Sequence, residues 1–206
     1  MILFVCEGNV CRSALAEGVL QKALPITQGI TVGSAGTQAL VGEGADTMTF
    51  GIAARLGVSL AEHRARQLTP ELLATANMVV TATRQIRSAA VQTYPPSVKY
   101  SFTMRQLARI LKSAHASFDA DGLTGSALVT ALARSVNQEK GRLIAPQGDD
   151  DNITDPRGRP LRVHEQSAEA IVDAVGELAR ALGGTPVPWS PARLTQRWDG
   201  PKAATG

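Results

Sequence analysis

Cys6 and Arg12 enclose the stretch Glu7-Gly8-Asn9-Val10-Cys11, and Ser13 follows at once. That order puts a nucleophile, a run of backbone N–H groups and a fixed positive charge within eight residues. A thiolate, not a thiol, attacks phosphorus, and a helix N-terminus together with a cation favours the thiolate. Backbone N–H groups at a loop-to-helix junction converge on an anion. Gly8 lets the backbone approach closely and turn where a Cβ would clash. Asn9 tolerates left-handed dihedrals and can pin the loop through its side chain. Arg12 offers a planar fork to two oxygens, which lysine does not. Ser13 can donate to the thiolate and later to the leaving sulfur. The set reads as a site that holds a phosphate-like dianion and attacks its central atom. Taken alone, Cys6 would be a buried strand-end cysteine; its neighbours make it a nucleophile. Cys11 stays open between a small packing residue and a thiol that captures oxidised Cys6 as a reversible disulfide.

Attack at phosphorus leaves an alkoxide or phenoxide that must be protonated, a step worth about two to four powers of ten. Asp155-Pro156 is the candidate acid. Proline stiffens the backbone that follows Asp155. Asp155 would donate a proton first and then act as base on water. The competing reading is a turn Asp before Pro.

These residues need a frame. Met1 to Val5 is a short apolar run and reads as a buried strand. From Ser13 the rows Leu15, Val19, Ala23 and Ala16, Leu20, Leu24 read as a helix that Pro25 stops. Ile30-Thr31-Val32 is a second strand, ending in Ser34-Ala35-Gly36-Thr37. Met48, Ile52 and Leu56 mark a helix, and Thr69-Pro70 starts another. Met78 to Thr81 and Lys99 to Phe102 supply two more strands, with a helix from about Arg84 between them. The alternation predicts an α/β domain with a central, mainly parallel four-stranded sheet flanked by helices on both faces. The phosphate-binding loop follows its first strand. Cys6, Ser34 and Thr83 should share the rim beyond the strand ends, where such folds bind ligands. Two helices are expected between 103 and 150, a polar turn at Asp149-Asp150-Asp151, and a closing helix from Glu165.

With 206 residues, 44% hydrophobic and a net charge of +3, the chain suits one decorated domain. Aromatics are 4% and no basic stripe is evident, which excludes a nucleic-acid footprint. No apolar run approaches a membrane span and no leader pattern stands at the N-terminus, so membrane insertion is not expected and the protein is placed in the cytoplasm. Two cysteines in one loop and no Cys/His cluster predict neither a structural disulfide nor a metal. Residues 185–206, with four prolines, read as a tail.

The segment from Val5 to Ser13 resembles the signature of the low-molecular-weight protein-tyrosine phosphatases and their arsenate-reductase relatives. Ser34-Ala35-Gly36-Thr37, His63-Arg64-Ala65-Arg66-Gln67-Leu68 and Ile153-Thr154-Asp155-Pro156 resemble further family segments in the same order. The resemblance implies phosphomonoester hydrolysis through a phosphocysteine on Cys6, with Arg12 holding phosphate, Asp155 as acid and base, and no metal or cofactor. It also implies that Asn9, Ser13, Ser34 and His63 support the loop, together with its members Glu7, Gly8, Val10 and Cys11. The family domain would span 1–184, with a helical insertion at about 103–150. The implied substrate is a phosphorylated protein or a small phosphomonoester. Four departures stand out: Glu7 inside the loop, Arg157-Gly158 where aromatics stand in tyrosine-specific members, Thr83 where many members carry Asp, and the length of 103–150. Val10 fits the tyrosine branch rather than the phosphoarginine branch. Two other readings remain: a binding module without turnover, and a thiol-dependent arsenate reductase.

Overall fold

The computed structural model describes residues 1–113, 120–140, 142 and 150–190. Four strands form one parallel sheet: β1 (Ile2–Cys6), β2 (Val32–Gly36), β3 (Met78–Thr81) and β4 (Ser101–Thr103), in the order β2-β1-β3-β4. Every residue of all four is buried. Burial on both faces explains why the strands read as apolar runs without alternation. The described helices are α1 (Arg12–Ala23), α2 (Thr47–Arg55), α3 (Pro70–Thr75), α4 (Arg84–Thr93), α5 (Met104–Lys112), α6 (Gly125–Glu139) and α7 (Leu161–Ala181). α7 packs against both α1 and α5.

Four of these helices start at a side-chain cap, of which the sequence singles out Thr69. Thr69 accepts from the Leu72 amide ahead of Pro70, Thr83 from the Ile86 amide, and Thr103 from the Gln106 amide. Asp46 caps α2 by accepting from the amides of Met48 and Thr49. The direction in which strands are added reverses about β1: β2 lies on one side of it and β3 on the other. The crevice beyond the carboxyl ends of β1 and β3 is therefore the topological switch point, where α/β sheets bind ligands.

Four expectations need correcting. β2 begins at Val32, not Ile30, and consists mostly of small residues. A Cβ on Gly36 would stand 2.3 Å from the Glu7 carbonyl oxygen, and one on Gly33 2.5 Å from Arg66 Nη2. Close approach, not β propensity, selects this strand's residues. α7 starts at Leu161, four residues before the predicted Glu165. Met48 is exposed, while Ile52 and Leu56 of the same predicted row are in the core. The polar turn is present at Asp150-Asp151, but Asp151 is not at its surface: it is buried between two arginines.

Residues 103–150 give α5 and α6 as predicted, and both bury apolar faces. Leu128, Val129, Leu132 and Val136 of α6 join the main core. The start of the predicted tail is docked: Val187 is buried, and the Thr185 amide donates to the Ala23 carbonyl. Residues 191–206 and Asp149 lie outside the described residues. No helix among the described residues is long and apolar enough to cross a membrane.

Candidate active site

The loop from Cys6 to Arg12 leaves β1 and enters α1 without a spacer. Its turn is made at Asn9, whose φ is +57°, in the left-handed region that Asn tolerates better than most residues. The expectation placed on Gly8 is corrected here: its φ is not positive, and an added Cβ would meet only ordinary contacts at 3.7 and 3.8 Å. The glycine that the loop does require is Gly36 on the neighbouring strand, because the loop backbone lies against it.

The Asn9 side chain is wholly buried and works in three directions. Its Nδ2 donates to Ser13 Oγ (2.9 Å) and Ser34 Oγ (2.8 Å), and its Oδ1 accepts from the Arg66 amide (2.9 Å). Ser34 in turn donates to Glu17 Oε2 at 2.6 Å. Ser13 Oγ, which accepts from Asn9, lies 2.9 Å from Cys6 Sγ, within reach to donate its proton to a thiolate there. The Asn9 amide also donates to that sulfur, at 3.3 Å. His63 Nε2 lies 2.7 Å from the Asn9 carbonyl oxygen. A carbonyl only accepts, so this nitrogen carries the proton. Nδ1 of the same ring stands 3.8 Å from Glu17 Oε2, in ion-pair range when the ring is charged. Sequence reasoning missed Glu17 and the Arg66 backbone. The signal for Glu17 was its place four residues after Ser13, one turn along the same helix face.

Arg12 is buried, and its guanidinium reaches the loop that carries Asp155. Nη1 donates to the Ile153 carbonyl (3.2 Å), and Nη2 pairs with Asp155 Oδ2. Nε, also buried, has no hydrogen-bond partner among the described residues. The structure thus brings Asp155 to Arg12 across 143 residues of chain. Asp155 Oδ1 accepts from the Arg157 amide at 3.2 Å, so Arg157 acts here through its backbone while its side chain is exposed.

Glu7, Arg12, Thr37, Thr83 and Asp155 line a cavity of about 530 Å3. Glu7 is exposed at this mouth, not turned into the loop. No aromatic ring is found among the described lining residues. A larger cavity of about 830 Å3 lies along α7 against residues 186–189, but its described lining holds no cysteine, serine or threonine. Cys11 packs with Val10 and Ala65 beside the loop. Burial pushes its thiol up to about 12, and the hydrogen bond from Thr49 does not offset that. At neutral pH Cys11 is a thiol.

A sequence model of the family described as low molecular weight phosphotyrosine protein phosphatase matches residues 1–118, more than half of the chain. The chain belongs to this family. Among its relatives is Wzb of Salmonella typhi, a low molecular weight protein-tyrosine-phosphatase, 32% identical over 154 residues that cover 71% of this chain and 96% of Wzb. The probable low molecular weight protein-tyrosine-phosphatase EpsP of Ralstonia solanacearum is 44% identical over 79 residues, 38% of this chain. That match spans 52% of EpsP, about half its length. Among solved structures, the YwlE arginine phosphatase from Geobacillus stearothermophilus superposes with a TM-score of 0.63 at 27% identity, covering 88% of this chain and 92% of that one. The tyrosine phosphatase AmsI of Erwinia amylovora gives the same TM-score at 20% identity, a likeness of fold. Family membership and the four-stranded parallel sheet agree with the fold and resemblance read from the sequence.

Proposed function

We propose that the protein is a metal-independent, cysteine-dependent phosphomonoesterase that acts on phosphotyrosine in proteins of the cytoplasm. The observation that carries the reading is the convergence of a buried cysteine sulfur, a buried arginine and an aspartate on one rim of the sheet. A pure phosphate binder has no use for the last of these.

In this reading the substrate dianion settles over the loop and takes donors from Arg12, including the unpartnered Nε. Arg12 then turns from Asp155 to the phosphate, and the Asp155 carboxyl faces the leaving oxygen. Cys6 Sγ attacks phosphorus, the P–O bond to the leaving group breaks, and the Asp155 proton goes to the departing oxygen. A phosphocysteine remains. Asp155, now a carboxylate, takes a proton from water as its oxygen attacks phosphorus, and the sulfur leaves as a thiolate toward the Ser13 hydroxyl. Asn9, Ser34, Glu17 and His63 hold the loop in place so that its donors need not reorganise.

The names of Wzb and EpsP support phosphotyrosine. YwlE supports phosphoarginine as a second reading, and Glu7 at a mouth without aromatic rings fits a cationic substrate group. A panel of phosphotyrosine, phosphoserine and phosphoarginine peptides separates them. Release of phosphate from phosphotyrosine by wild type and none by Cys6→Ser is the expected result. Equal release by both proteins would end the proposal, and a preference for phosphoarginine would replace the substrate.

A further inference from the structure

Asp151 takes no part in the chemistry above, yet it is the most buried carboxylate among the described residues. Two helices each send an arginine to it. Arg84, the first residue of α4, gives Nη2 at 2.8 Å and Nε at 3.1 Å to Oδ2. Arg109, from the middle of α5, gives Nη1 at 2.6 Å to Oδ1. Burial alone would raise the Asp151 carboxyl, but the hydrogen bonds and charges of Arg109 and Arg84 outweigh it and hold it below its ordinary value.

The residues that follow Asp151 are tied one after another. Asn152 Oδ1 accepts from the Arg84 amide at 2.9 Å. The Ile153 amide donates to the Ala82 carbonyl at 2.9 Å, and its side chain is in the core. The Ile153 carbonyl accepts from Arg12, and Asp155 comes two residues later. A loop carrying a general acid must hold its carboxyl to within a fraction of an ångström of the leaving oxygen, and free loop residues do not do this. The ends of β3 and β4, through the first turn of α4 and through α5, are rigid points from which to hold it.

We infer that Asp151, clamped by Arg84 and Arg109, is the positioning residue that sets the height of Asp155 over the phosphate loop. The inference rests on the reading of Asp155 as the general acid. It also assigns a task to the stretch after residue 103: α5 supplies one jaw of the clamp, and without it the Asp151 carboxylate would be held by Arg84 alone.

Single-turnover release of the leaving group from a series of aryl phosphates tests this, from p-nitrophenyl phosphate to phenyl phosphate. The proteins are wild type, Asp151→Asn, Arg109→Gln and Asp155→Ala. A displaced acid matters little for a good leaving group and much for a poor one. Asp151→Asn is expected to stay within about threefold of wild type on p-nitrophenyl phosphate and to lose about tenfold or more on phenyl phosphate, with substrate affinity unchanged. Arg109→Gln, which leaves the Arg84 pair intact, should show the same steepening in weaker form and decides the matter if Asp151→Asn does not fold. A uniform loss across the series, or a wild-type slope in folded variants, overturns the positioning role while Asp155→Ala still steepens the slope. A wild-type slope in Asp155→Ala itself overturns the acid assignment, and the inference falls with it.

Discussion

Replacing Asn9 tests the architecture of the loop more sharply than removing a reacting group would. Asn9→Ala keeps the left-handed backbone at φ +57° but loses the side chain best suited to it. For an ordinary L-residue that conformation costs about 1–2 kcal/mol, and for Asn somewhat less. Three hydrogen bonds go with the side chain. Ser13 keeps its contact with Cys6 and Ser34 keeps Glu17, so those two losses are ordinary ones of about 1 kcal/mol each. The Arg66 amide loses the acceptor it has now, and an unsatisfied donor of that kind costs about 1–3 kcal/mol. The sum for Asn9→Ala is about 5 kcal/mol, a large part of the stability of an ordinary domain. Asn9→Gly loses the same three bonds but tolerates the backbone, so it should be about 1 kcal/mol more stable than Asn9→Ala. Urea unfolding followed by far-UV circular dichroism measures both. The order wild type, Gly, Ala is the expected one. Finding Ala above Gly, or Ala within about 0.5 kcal/mol of wild type, would refute the account of the turn at Asn9.

Two further outcomes follow from the same geometry. Gly36→Ala places a Cβ 2.3 Å from the Glu7 carbonyl oxygen, a backbone atom that cannot swing away. It should destabilise by about 1–3 kcal/mol or more in thermal unfolding and displace the phosphate loop, whereas Gly8→Ala, with its nearest contact at 3.7 Å, should be nearly neutral in stability. Iodoacetamide at neutral pH should leave Cys11 unmodified, because burial raises its thiol to about 12 and only the thiolate reacts. The sign is that Cys11 labelling grows as pH rises toward about 12 and is absent at neutral pH and below. Peptide mapping that finds Cys11 modified as fast as Cys6 at pH 7 would contradict this.

The sequence by itself determined whatever is contiguous. Cys6, Asn9, Arg12 and Ser13 fall within eight residues, so their spacing fixes their geometry once a strand precedes them and a helix follows. The start of α3 was legible for the same reason, since the Thr69 cap binds an amide three residues away. The resemblance to the family began at the same short segment and was extended by three others in order.

What only the tertiary structure decided involves partners far apart in the chain. Asp155 reads from the sequence as a candidate acid with a turn residue as the competing reading, and only the fold brings it to Arg12 from the other end of the domain. Asp151 reads only as part of a polar turn, because burial of a carboxylate depends on Arg84 and Arg109 arriving from two separate helices. The small residues of β2 look like a poor strand until the loop backbone is seen lying on Gly36. Spacing encodes local geometry, but it carries no information about which distant charge will compensate a buried one or which backbone will press on a missing Cβ. Those two facts, compensation and contact, are what turn the loop at Cys6 into a complete site.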